Sequence, residues 1–152
     1  QLRRAELQTL METDPCRSFA DDQREPSADY ARLDNETTLM LLHSYCMGYN
    51  AEERIFVIDN RGVARPAPFG SHPLSGAFEE AGGPALPGGS WNSEQRLLSS
   101  FGRARGLGDC GELMHFVWDS RQFQLVRYAS MSECRGSTDY ITTYRREVRI
   151  AP

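Results

Sequence analysis

The chain has 152 residues, with 21 acidic and 17 basic side chains and a formal net charge of −4. About 150 residues is a common size for one domain and is enough to bury a real core. The scattered charge offers no polycationic face for nucleic acid, and no apolar run reaches the roughly eighteen residues that a membrane span requires. All seventeen basic residues are arginine, the side chain that pairs best with carboxylates through two parallel hydrogen bonds.

In chain order, residues 2–12 place Leu2, Leu7, Leu10 and Met11 on one helical face, and Asp14-Pro15 closes the pattern, so a short amphipathic helix is expected there. Residues 16–35 turn polar around Pro26 and read as loop, with room for one helical turn at SADYARL. TTLMLLHSYCMGYN, residues 37–50, has the composition of a buried strand, and RIFVID, residues 54–59, carries the β-branched content that strands prefer. Asn60-Arg61-Gly62 reads as the turn after it. Residues 66–90 hold five prolines and six glycines, a composition expected to sustain neither ladder nor helix, and so a long loop suited to carrying a binding surface. QRLLSSF, ELMHFVWD, QFQLVRYA and DYITTYRREVRI then read as successive strands of an antiparallel meander over residues 91–152. The expectation is one β-rich α+β domain over residues 1–152. Its parts are a helix and polar loop (1–36), first strands (37–65), the Pro/Gly-rich loop (66–90) and the meander.

Cys16, Cys46, Cys110 and Cys134 are far apart and form no CxxC pair, which disfavours a zinc or thioredoxin-like site and favours disulfides. Three connectivities are open. Cys16 with Cys46 and Cys110 with Cys134 is preferred because each bond closes a loop within one half of the chain. Each would contribute roughly 3 to 4 kcal/mol in the chain-entropy model. Disulfides imply an oxidising compartment, secreted or periplasmic. The chain starts at Gln1 without a signal peptide, as expected of a mature or trimmed fragment.

GRARGLGDCG at 102–111, FVWDSRQFQLV at 116–126, MSECRG at 131–136 and YRREV at 144–148, with CMGYN upstream, resemble the C-terminal half of a bacterial periplasmic family, domain of unknown function 1176. The resemblance runs over about residues 33–149. MGYN, WDSR and Tyr144 depart from the family's usual GAYN, WDG and tryptophan. Family members also tend to carry a further N-terminal half. The resemblance implies an exported fold and disulfide pairing, and no chemistry.

Among candidate sites, Cys110 with His115 has the elements of a thiolate pair, but a disulfide to Cys134 would consume the nucleophile. Asp109, Glu112 and His115 recur every three residues, which on a helix would converge for metal or acid–base work; on the expected strand Glu112 and His115 face opposite ways. Arg103 and Arg105 among Gly102, Gly106 and Gly108 suit an anion cradle. The simpler expectation is that the glycines aim Cys110 at Cys134 while the arginines pair with nearby acids. His43 is expected as a hydrogen-bonded core residue, and His72, Glu79 and Glu80 as solvated residues of the long loop that could contribute to binding. With no cofactor or metal motif, the expected function is non-catalytic binding of a protein in the periplasm. Its most concrete form is an inhibitor or immunity protein against a secreted toxin or peptidoglycan-degrading enzyme. The alternatives are an envelope hydrolase using Asp109, Glu112 and His115, and a small-anion sensor using Arg103 and Arg105.

Overall fold

The two apolar runs of the first half pair as the centre of a five-stranded sheet in the computed structural model, which describes residues 2, 4–12, 25–44, 50–71 and 84–148. Strands β1 (Ala28–Arg32), β2 (Thr38–Ser44), β3 (Glu52–Ile58) and β4 (Ala64–Pro66) lie antiparallel in that order, and β5 (Ala85–Pro87) pairs with the part of β3 that β4 leaves open. Both faces of β2 and β3 are covered. Leu39, Leu41, Ile55 and Val57 pack toward a second sheet, while Met40, Leu42, Phe56 and Ile58 meet helix α1 (Arg4–Glu12), which contributes Leu7 and Met11. Double coverage is why these strands read as continuous apolar runs rather than alternating ones. The short helix expected near the start of the chain is present over Arg4–Glu12.

The second sheet is the expected meander. It comprises β6 (Ser90–Asn92), β7 (Leu97–Arg103), β8 (Gly111–Trp118), β9 (Phe123–Met131) and β10 (Ile141–Arg145), ordered β10-β9-β8-β7-β6 and antiparallel throughout. Along β8, Met114, Phe116 and Trp118 are buried against the first sheet, while Leu113, His115 and Val117 are half-buried on the outer face. Phe69, Trp91, Trp118 and Phe123 meet ring to ring at the centre.

Polar ties set the two sheets against each other. In the β1–β2 turn, Asp34 accepts the Trp118 indole N–H at 2.7 Å and the backbone N–H groups of Glu36 and Thr37 at 2.9 and 2.8 Å. Burial opposes charge on Asp34, but these donors prevail and hold its carboxyl below the usual carboxylate range. Arg96, in the β6–β7 turn, donates to the Leu33 carbonyl. Beyond β4, Phe69 bridges to Phe123, with backbone bonds of 2.8 Å from Gly70 to Phe123 and from Phe123 to Pro68.

Two expectations are corrected. SADYARL is a strand rather than loop or helical turn: β1 pairs along its full length with β2, directing Ala28 and Tyr30 toward α1 and Ala31 into the inter-sheet core. Pairing with an apolar neighbour overrides polar local composition. The Pro/Gly-rich stretch also sustains ladders, at the end of β4 and in β5, because short three-residue strands tolerate proline at their ends. Residues 72–83, with His72, Glu79 and Glu80, lie outside the described residues, as do Cys16 and Cys46. The turn at Asp59–Gly62 forms as expected, with Gly62 at φ 85° and Asp59 accepting from Arg61 and Val63.

Candidate functional site

The β7–β8 connection carries the motif that stands out in the sequence. Cys110 and Cys134 are joined by a disulfide, with Cα atoms 4.8 Å apart. Gly108 and Gly111 take positive φ, at 68° and 139°, and a Cβ at Gly111 would lie 2.1 Å from the Gly102 carbonyl oxygen. Only glycine fits there. Of the glycines expected to set the cysteine, Gly108 does so, whereas Gly111 rather than Gly106 is the second.

Arg105 and Asp109 form a two-pronged pair, and Asp109 also accepts the Gly136 N–H at 2.6 Å while Arg105 donates to the Cys134 carbonyl at 3.1 Å. Arg105 holds the Asp109 carboxyl far below the usual carboxylate range, against the opposing effect of burial. Asp109 is 2% exposed. The arginine and the acid therefore brace the stapled turn, and Arg105 is not the free fork an anion cradle requires. Asp109, Glu112 and His115 are not brought together. Glu112 accepts the Tyr128 hydroxyl at 2.5 Å, and His115 stands on the outer sheet face paired in register with Arg127.

Beside this turn, on the outer side of the second sheet, opens a cleft of about 540 Å³ lined by Phe101, Leu107, Leu113 and Tyr140 and by two arginines, Arg103 and Arg127, against one acid, Asp139. The sheet supplies its floor because outward positions of β7, β8 and β9 align in register, Phe101 opposite Leu113 and His115 opposite Arg127. The staple supplies its rim: Tyr140 donates to the Gly108 carbonyl at 3.1 Å and packs edge-on against Phe101 at 5.5 Å. Asn50 holds the Arg103 backbone from both sides, accepting its N–H and donating to its carbonyl, each at 2.9 Å. Leu107, on the rim, is 76% exposed. Arg127 donates from Nε to Thr142 at 3.2 Å and has no carboxylate within ion-pairing distance among the described residues. Burial and then the Arg127 charge both push His115 below its ordinary pKa. Of the sequence candidates among the described residues, Arg103 and Gly108 line the cleft; Leu113 and Arg127 were read merely as strand residues, and only register brings them together.

In the first sheet, strand pairing assembles a cluster that spacing could not show. Asp29, His43 and Glu53 lie on the inward face of β1, β2 and β3, with His43 Nε2 3.4 Å from Asp29 and Nδ1 3.8 Å from Glu53. Glu53 is buried, which raises its pKa, and accepts the Gly89 N–H at 2.5 Å. His43 is thus a half-buried link between two carboxylates rather than a core residue. Among the described residues no His, Cys, Asp and Glu group has metal-binding geometry.

A disulfide-stapled pair of antiparallel sheets with, among the described residues, one short helix, presenting a cleft with an apolar floor and two arginines, is the class of molecule these features define. The family model described as a protein of unknown function, DUF1176, matches residues 1–147, and the chain belongs to that family. The match begins well before residue 33, so the helix and β1 lie within the family's pattern. No curated protein and no solved structure matches the chain. Among the described residues, no helix is long and apolar enough to cross a membrane.

Proposed function

We propose that this protein is a non-catalytic binding module of an oxidising compartment, the periplasm, and that it recognises a protein partner through the cleft beside the Cys110–Cys134 staple. The observation that carries the reading is Arg127, a guanidinium with no ion-pair partner among the described residues, which lines the same cleft as the apolar Phe101 and Leu113. Such a site suits a partner segment with an apolar side chain next to a carboxylate. The fixed rim lowers the ordering cost of association. An inhibitor or immunity protein that engages a peptidoglycan-degrading enzyme is the most concrete form of this function. The positions of Asp109, Glu112 and His115 favour it over an envelope hydrolase, since Asp109 is committed to Arg105 and the other two face apart.

The test is a stoichiometric complex with a lytic enzyme recovered from envelope extract on the immobilised protein. Wild type is expected to inhibit the captured enzyme one to one, and Arg127→Gln to weaken the complex about tenfold, the scale of losing a hydrogen bond to a charged group. Undiminished capture by an Arg127→Gln, Leu113→Glu double variant would refute the cleft as the recognition surface.

A further inference from the structure

A second site lies where the inter-sheet core opens between two strand edges. Among the described strands, β1 pairs only with β2 and β6 only with β7, so each has a free edge. A cavity of about 340 Å³ lies between them, with Leu39 and Leu41 at its apolar floor, Asp29 and Ala31 on one wall, and Ser90 and Trp91 on the other. The two edges are held on either side of it because Arg96, just beyond β6, donates to Leu33, just beyond β1. The Trp91 indole Nε1 is buried and has no hydrogen-bond partner among the described residues, although a buried indole N–H is nearly always satisfied. The Trp118 indole, bonded to Asp34, is the ordinary case. The polar end of the cavity is acidic: the Asp29 side chain is 76% exposed, and the Asp29–His43–Glu53 cluster adjoins it.

We propose that this mouth binds an extended segment of a partner protein carrying a lysine or arginine. The segment adds as a strand along a free edge, the Trp91 indole turns to present its N–H to one of the segment's carbonyls, and its cationic side chain meets Asp29. Three independent complements select that occupant: unpaired edges require a backbone, the orphaned donor requires a carbonyl, and the exposed carboxylate requires a cation. The proposal is separate from the basic cleft, which lies on the outer face of the second sheet and selects the opposite charge.

The probes are the blocked tetrapeptides acetyl-Thr-Lys-Val-Thr-amide and acetyl-Thr-Glu-Val-Thr-amide, titrated into the ¹⁵N-labelled protein. With two tryptophans in the chain, the indole N–H region holds one reporter and one internal reference. The lysine peptide is expected to shift the Trp91 resonance downfield while the Trp118 resonance stays in place. It is expected to bind about fivefold tighter than the glutamate peptide, as an exposed charge contact allows. In Asp29→Asn, whose altered side chain is exposed, this preference should fall below about twofold. A Trp91 resonance unmoved at millimolar lysine peptide, equal affinity for the two peptides, or a preference that survives Asp29→Asn would each overturn the proposal. Loss of lytic-enzyme capture in Arg127→Gln bears only on the basic cleft, so the two readings fail separately.

Discussion

The two sheets solve the same problem differently. The first is covered on both faces, by α1 and by its partner sheet, and β2 and β3 carry unbroken apolar runs, Leu39 to Leu42 and Ile55 to Ile58, with polar side chains confined to their ends. The second buries only the face that carries Met114, Phe116 and Trp118, and its outer face keeps Phe101, Leu113 and Arg127 half-accessible beneath an exposed Leu107. A sheet with one uncovered apolar face has surface to spare for recognition, whereas a doubly covered sheet has only its ends and edges. Each of the two clefts lies where its sheet permits: the basic one on an open face, the acidic one at an open mouth.

The comparison can be broken by mutation. Phe116→Ala, between the sheets, should cost about 3 to 5 kcal/mol in urea unfolding, while Leu113→Ala, one strand position before Met114 on the outer face, should cost less than about 1 kcal/mol. Equal losses would mean that the outer face is as fully packed as the inner one. Next in size, replacing Cys110 and Cys134 together by alanine should remove about 2 to 4 kcal/mol and loosen the cleft rim. Amide exchange should then rise at Gly108 and Tyr140 before it rises in β2; uniform acceleration would show that the staple serves the whole fold rather than the rim.

Acidification is the mildest perturbation. Asp109 has a depressed pKa in the folded protein, so its contribution is fully present above the unfolded carboxyl value of about 4 and is lost as pH falls below it. Between about pH 4 and pH 2 the stapled turn should weaken in wild type, and Asp109→Asn should flatten that part of the stability curve. An identical acid limb in the two proteins would remove Asp109 from the account.

The sequence made the meander and the helix legible because their apolar residues follow regular periods, and Cys110, Gly108 and Asp109 stood out through residue types with few interchangeable roles. The Asp29–His43–Glu53 cluster was illegible because its members are 14 and 10 residues apart and meet only through the register of three strands. Leu113 and Arg127 escaped notice for the same reason: on their own strands they are ordinary positions. β1 was masked by its charges, since Asp29 and Arg32 look like loop residues until β2 supplies the partner.

One short segment has a consequence for how the molecule comes apart. β5 belongs to the first sheet and β6 to the second, and only Gly88 and Gly89 separate them. Gly88 donates to the Ala51 carbonyl and Gly89 to Glu53, while Ser100 of β7 donates to Pro87 from the other side. A chain stitched through both layers within eight residues gives neither layer an independent way to melt, so heat or denaturant meets a single cooperative unit.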